Sequence, residues 1–209
     1  MLGALGGGPL QLGAMIRAVL MLMEPARTWE KIKIAQASVW RLTFMLVLPL
    51  LLFSAVVESL GLMQLGIERG ALGLRMVKAP LDLVVRYQLV QLALSLLVLF
   101  GGAALLRPIG LSFHRRHSYQ ECFTTLAYCL SPIYLLRMLD ALPAVNTWVC
   151  FGIGLFLAVS QLYRAIPFIL KPDPSSALGL FMLTTVLLVA STGLAHFLAV
   201  LVLEEKLFA

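Results

Sequence analysis

Charge is what this chain has least of. Only 12% of its 209 residues are Asp, Glu, Lys or Arg, against about 25% in soluble domains. Hydrophobic residues make up 61%. That leaves too few polar groups to cover a water-soluble globule, so lipid is expected to be most of the solvent. Cysteine is equally sparse. Cys122, Cys129 and Cys150 are an odd set inside apolar runs, which argues against a disulfide framework. Cys122 and Cys129 share one helix face and read as small packing residues. The three histidines are His114, His117 and His196. They form no Ser-His-Asp or Cys-His set. His114 and His117 could share a metal with Cys122, but no fourth ligand is at hand. Gly6-Gly7-Gly8 lacks the lysine and helix of a phosphate loop. The net charge of +6 is scattered over short loops without interleaved aromatics, which excludes nucleic acid as the expected partner. No catalytic residue, cofactor or metal is expected, and the chain is read as a non-enzyme.

Long apolar runs are what it has in plenty. Five are long enough to cross a bilayer as helices: about 42–63, 83–106, 119–142, 148–170 and 177–203. The fold class is therefore all-α, a polytopic membrane helix bundle with an amphipathic N-terminal interfacial helix. Residues 1–41 form a cytoplasmic and interfacial segment, 42–203 the five-helix domain, and 204–209 a short tail. The stretch from Ser118 to Lys171 organises the rest: it holds two runs separated by a short break, which makes two antiparallel neighbours. Leu10 to Met23 is too short to span. It is followed by Glu24-Pro25-Ala26-Arg27 in place of a small-residue cleavage site, and is expected to lie at the interface uncleaved.

Between that segment and the first span, Pro25 suits the first turn of a helix. Trp29 and Ile32 share a face, and Trp29 is expected at headgroup level as a juxtamembrane anchor. Gln64 to Asp82 alternates apolar and basic residues and is expected to be a short amphipathic helix on the membrane, closed by Pro80. Gly101-Gly102-Ala103-Ala104, and Gly152 with Gly154, offer small surfaces for close helix contact. Arg107 to Ser118 is expected to be a polar turn. Pro49 should loosen the first span. Pro132 frees the Tyr128 carbonyl, so Tyr128 and Ser131 make a polar spot in the third.

Ionisable residues inside spans are functional candidates by default. Here they are Glu58, Arg137, Asp140 and His196. Glu58 is expected near the outer interface, reached by water. Arg137 and Asp140, three apart, are expected to pair with each other. His196 is expected to hydrogen-bond a neighbouring helix. With the N-terminus inside, the cytoplasmic segments carry ten of the 16 Lys and Arg residues. The bias favours a cytoplasmic N-terminus and an outside C-terminus.

Several phrases together resemble the Yip family, five-span membrane proteins first known as partners of Rab-type GTPases, and more closely its bacterial branch. They are Pro25-x-x-x-Trp29-x-x-Ile32, Pro49, Ala127-Tyr128 with Ser131-Pro132, and Leu162-Tyr163 with Pro167. The resemblance implies five helices, a cytoplasmic N-terminus, and membrane organisation or partner recruitment in place of catalysis. It makes Pro25, Trp29, Ile32, Pro49, Tyr128, Pro132, Tyr163 and Pro167 the candidate structural and interaction residues. The acidic Tyr-Gly-Pro phrase of eukaryotic members is absent, so GTPase binding is not among the expectations. The expected partners are the bilayer and other membrane proteins, in a bacterial inner membrane. The expected function is a scaffold or accessory subunit of a larger membrane complex. The alternative is a small transporter or channel component, with a polar path through Glu58, Arg137, Asp140 and His196.

Overall fold

The computed structural model describes residues 25–35, 37–69, 75–113, 117–142, 145–170 and 175–204. The interfacial segment expected over Leu10 to Met23, the pair partner His114 and the tail beyond Glu204 lie outside them. A short helix α1 (Pro25–Ala35) precedes five helices long and apolar enough to cross a membrane. These are α2 (Val39–Gln64), α3 (Leu81–Ser112), α4 (Tyr119–Leu136, continued by a 3₁₀ turn Arg137–Ala141), α5 (Thr147–Ala165, continued by a π turn Ile166–Leu170) and α6 (Ala177–Leu203). The molecule is an all-α polytopic bundle.

Helix α4 is its centre. Of its most apolar window 67% is buried inside the protein, against 28% for α3 and for α6. Every residue from Cys122 to Pro132 is buried. The reason is composition: α4 has the lowest hydropathy of the five, 1.3 against 1.7 to 2.4. A helix carrying Thr124, Thr125, Ser131 and Tyr134 is costly to place against lipid and is enclosed by its neighbours, with Thr125 and Ser131 donating to its own carbonyls. Its start is fixed by a capping box. The Ser118 hydroxyl accepts from Glu121 N–H at 3.2 Å, and the Glu121 carboxylate accepts from Ser118 N–H at 2.9 Å. Around it, α5 packs along one side and α3 along another, with α6 against α3.

Glycine sets the closest approaches. A Cβ on Gly154 would lie 3.0 Å from the Ile133 Cα, so that glycine lets α5 meet α4 backbone to backbone. Gly61 likewise abuts the Ala141 backbone. A Cβ on Gly102 would lie 3.1 Å from Leu126 Cδ1. Gly101 and Gly152, read from sequence as contact surfaces, have nothing within 4 Å; they lie on the outer faces of their helices.

Three expectations are corrected. The segment after α2 contains an antiparallel ribbon in place of a helix: β1 (Ile67–Arg69) pairs with β2 (Arg75–Val77), Ile67 opposite Val77. Gly66, at φ 90°, turns the chain out of α2 into that ribbon. Secondly, α3 continues beyond 106 through Arg107 and Pro108 to Ser112, so the polar turn is shorter than expected. Thirdly, Trp29 is not an anchor exposed to lipid headgroups. It is 0% exposed, with its ring edge-on to Tyr128 at 6.2 Å. Helix α1 packs against α5 and its π turn. Trp29 and Ile32 face inward while Ile34 faces out, as their spacing of three on one helix requires.

Prolines mark where the helical ladders widen. Before Pro49 lies a π turn, Thr43–Val47, in which Leu48 N–H reaches back to Thr43 O. Pro167 lies within the second π turn. A proline lacks the N–H that the regular ladder needs, and a wider turn accommodates that loss. At Pro132 the helix stays α, and the Ser131 hydroxyl donates to the Tyr128 carbonyl at 2.7 Å.

Candidate functional site

Glu58 is 1% exposed, not reached by water as its place near a span end suggested. Six residues from the end of α2, it meets Tyr87 and Gln88, six and seven residues into α3, and Arg137 just beyond α4. Antiparallel α2 and α3 bring Glu58, Tyr87 and Gln88 to one depth, about 9 Å along the axis from their helix ends, where Arg137 meets them. Arg137 Nε and Nη2 donate to Glu58 Oε2 at 2.8 and 2.6 Å. Tyr87 O–H donates to Oε1 at 2.7 Å. Gln88 Nε2 donates to Oε2 at 3.0 Å, and its Oε1 accepts from Arg137 Nη2 at 2.5 Å.

The cluster joins three elements through one carboxylate. Both its oxygens are bonded and its charge is matched, which is the condition for keeping an ion pair out of water. The expected pairing of Arg137 with Asp140 is thereby corrected. The guanidinium turns to Glu58, while Asp140 Oδ2 accepts from the Thr147 hydroxyl at 3.0 Å. Gly61 admits the turn that presents Arg137 by letting Ala141 close on α2.

Next to this cluster is a cavity of about 50 Å³. Gln91, Ser95, Tyr134, Arg137, Asp140, Thr192 and His196 supply its polar lining, and Val98, Leu130, Ile133, Phe151 and Ala195 its apolar walls. Three of the four ionisable candidates therefore meet at one place, and the fourth, Glu58, is bonded to one of them. His196 makes no hydrogen bond to a neighbouring helix. Its ring instead stacks on Phe151 (4.4 Å, 3°) and stands edge-on to Trp148 (4.7 Å, 88°), and Nε2 has no partner. Its neighbours at that level are aromatic, so ring contact takes the place of a hydrogen bond.

The candidate interaction residues do not form one site. Trp29, Ile32 and Tyr128 are buried together in the core. Pro132 is buried in α4. Tyr163 is 65% exposed, edge-on to Phe181 at 5.4 Å, and Pro167 is exposed. Pro25 opens α1, four residues ahead of Trp29, and Pro49 follows the first π turn. Sequence reasoning missed Tyr87, Gln88, Gln91 and Tyr134. The signal for the first two was depth: a lone intramembrane acid needs donors, and counting inward from the ends of adjacent antiparallel spans reaches them.

Among the described residues, no three His, Cys, Asp or Glu side chains are grouped to hold a metal ion. A family model, that of the Yip1 domain, matches residues 19–198, from ahead of α1 into α6. No curated protein and no solved structure matches the chain.

Proposed function

The chain belongs to the Yip1 domain family, and from that footing we propose that it is a non-enzymatic membrane protein acting as a scaffold or as an accessory subunit of a larger membrane complex. The observation that carries this reading is the closed state of the Glu58 cluster. Four hydrogen bonds from three residues occupy the carboxylate. A group that must exchange partners or carry a solute needs a vacant position. This one is fully engaged, and its effect is to lock α2, α3 and α4 at a fixed height. Trp29, Ile32 and Tyr128 extend the locked unit to α1, and Pro25 starts that helix. Pro49, Pro132 and Pro167 set the bends. Tyr163, exposed on α5, is the candidate for partner contact. The basic bias of the loops supports a cytoplasmic N-terminus, and the sequence's likeness to the bacterial branch of the family supports a bacterial inner membrane.

A second reading is favoured by the cavity. Arg137, Asp140 and His196 line it together, as a small transporter or channel component would require. Extraction from native membrane in mild detergent, followed by mass measurement of the intact assembly, separates the two. The scaffold reading expects co-purifying membrane proteins and unchanged solute flux in Glu58→Gln and His196→Ala. Recovery only as a lone monomer, together with a flux lost in those variants, would overturn it in favour of the second.

A further inference from the structure

We propose that the cavity beside the Glu58 cluster binds a primary ammonium group, R–NH₃⁺, in the membrane-embedded part of the bundle. The reasoning starts from charge. Two carboxylates, Glu58 and Asp140, stand against a single guanidinium at this level. Arg137 is committed to Glu58 at 2.6 Å, so Asp140 is the unmatched charge. Asp140 is half-buried with Oδ2 bonded by Thr147; a carboxylate so placed without a cation is costly, and a bound cation relieves that cost. The groups facing it from the packed elements are Glu58, Tyr87, Tyr134, Arg137, Cys150 and His196, and Arg137 is the only cation among them.

Hydrogen-bonding capacity narrows the class. Three side chains that line the cavity each carry a buried polar atom without a partner: Tyr134 Oη, Asp140 Oδ1 and His196 Nε2. Tyr134 is 5% exposed and His196 8% exposed. The Cys150 thiol lies beside the same carboxylate. An ammonium brings three N–H donors and no acceptor. It can give one to each of these atoms, with His196 in the tautomer that leaves Nε2 unprotonated. Waters would fill the space but leave the charge unmatched. A divalent metal would need a ligand set that the described residues do not assemble. A cavity of about 50 Å³ takes a –CH₂–NH₃⁺ head and little more. The ligand is either a free small amine or the amine of a lipid headgroup.

Thermal unfolding of the full chain in non-ionic detergent tests this with methylammonium chloride as probe. Sodium chloride and tetramethylammonium chloride, which has no N–H, serve at matched ionic strength. A saturable rise in midpoint is expected with methylammonium alone. In Asp140→Asn the half-saturating concentration should rise roughly tenfold or more, as loss of a charged hydrogen bond implies. Should that variant not fold, His196→Gln and Tyr134→Phe, compared with their own amine-free midpoints, carry the test through weakened saturation. Nanodiscs of phosphatidylethanolamine against phosphatidylcholine distinguish the sources. A lipid ligand makes added methylammonium ineffective in the first only; a free amine acts equally in both. Equal stabilisation by sodium, or none by any salt, overturns the proposal in favour of an alkali cation or water alone. The result is independent of whether the assembly carries partners, so the scaffold reading can fail without it.

Discussion

Arg137 is the residue on which the described ion pairing inside the bundle turns. Removing its side chain leaves Glu58 charged and buried at 1% exposure, a loss that costs about 3–5 kcal/mol. Arg137→Met is therefore expected to destabilise strongly in mixed-micelle unfolding. Glu58→Leu combined with Arg137→Met should recover part of that loss, because no charge is then left unpaired. Recovery stays partial, since Tyr87 and Gln88 lose their acceptor. A double variant as unstable as the two single changes summed would show that the pair does not act as a unit. Ser131 works on a smaller scale. Its hydroxyl bonds the carbonyl that Pro132 leaves open, and Ser131→Ala should cost about 1 kcal/mol in the same assay. No change there would mean that another group takes over the Tyr128 carbonyl.

At the scale of elements, close approach and docking decide. Gly61→Val drives a side chain into the Ala141 backbone, which overpacking data place at about 1–3 kcal/mol or more. It should also loosen Arg137, since the turn that carries that residue must move. Gly152→Ala, with open space around it, should be neutral or stabilising by up to about 1 kcal/mol. Equal losses at both positions in thermal unfolding would refute this packing. Trp29→Ala should cost about 3–5 kcal/mol and release α1, read out as protease sensitivity near residue 35.

These same elements show how far the sequence could be read. The spans were legible because hydrocarbon demands some 20 apolar residues, and that demand is written in composition. The capped start of α4 was not singled out, although Ser118 and Glu121 carry its signature. The ribbon after α2 was misread, since alternating apolar and basic residues over so few positions fit a helix or a strand. The burial of Trp29 was misread for a different reason. Tryptophan suits a headgroup and a core equally, and only the position of Tyr128 on another helix separates them. Likewise, spacing within one helix suggested Arg137 with Asp140, whereas a partner on another helix, Glu58, wins by accepting two Arg137 N–H groups at Oε2 away from water.

As a whole, the molecule is a bundle turned inside out in its solvent preferences. Of the five membrane-length helices the most polar, α4, is the most buried, and the greasiest, α6, with hydropathy 2.4, is among the least. Large side chains such as Phe156, at 73% exposed, and Leu97, at 66%, point outward, where hydrocarbon receives them at no cost. Five crossings would put residues 25 and 204 on opposite faces. The most direct test is therefore accessibility. Carry one epitope ahead of residue 25 and another after residue 204, then probe right-side-out and inverted vesicles after an alkaline wash. The expected result is a protein that stays in the pellet, with the first epitope reached only in inverted vesicles and the second only in right-side-out ones. Both epitopes reached from the same side, or release of the protein by the wash, would contradict five crossings and with them the account of the buried charge cluster.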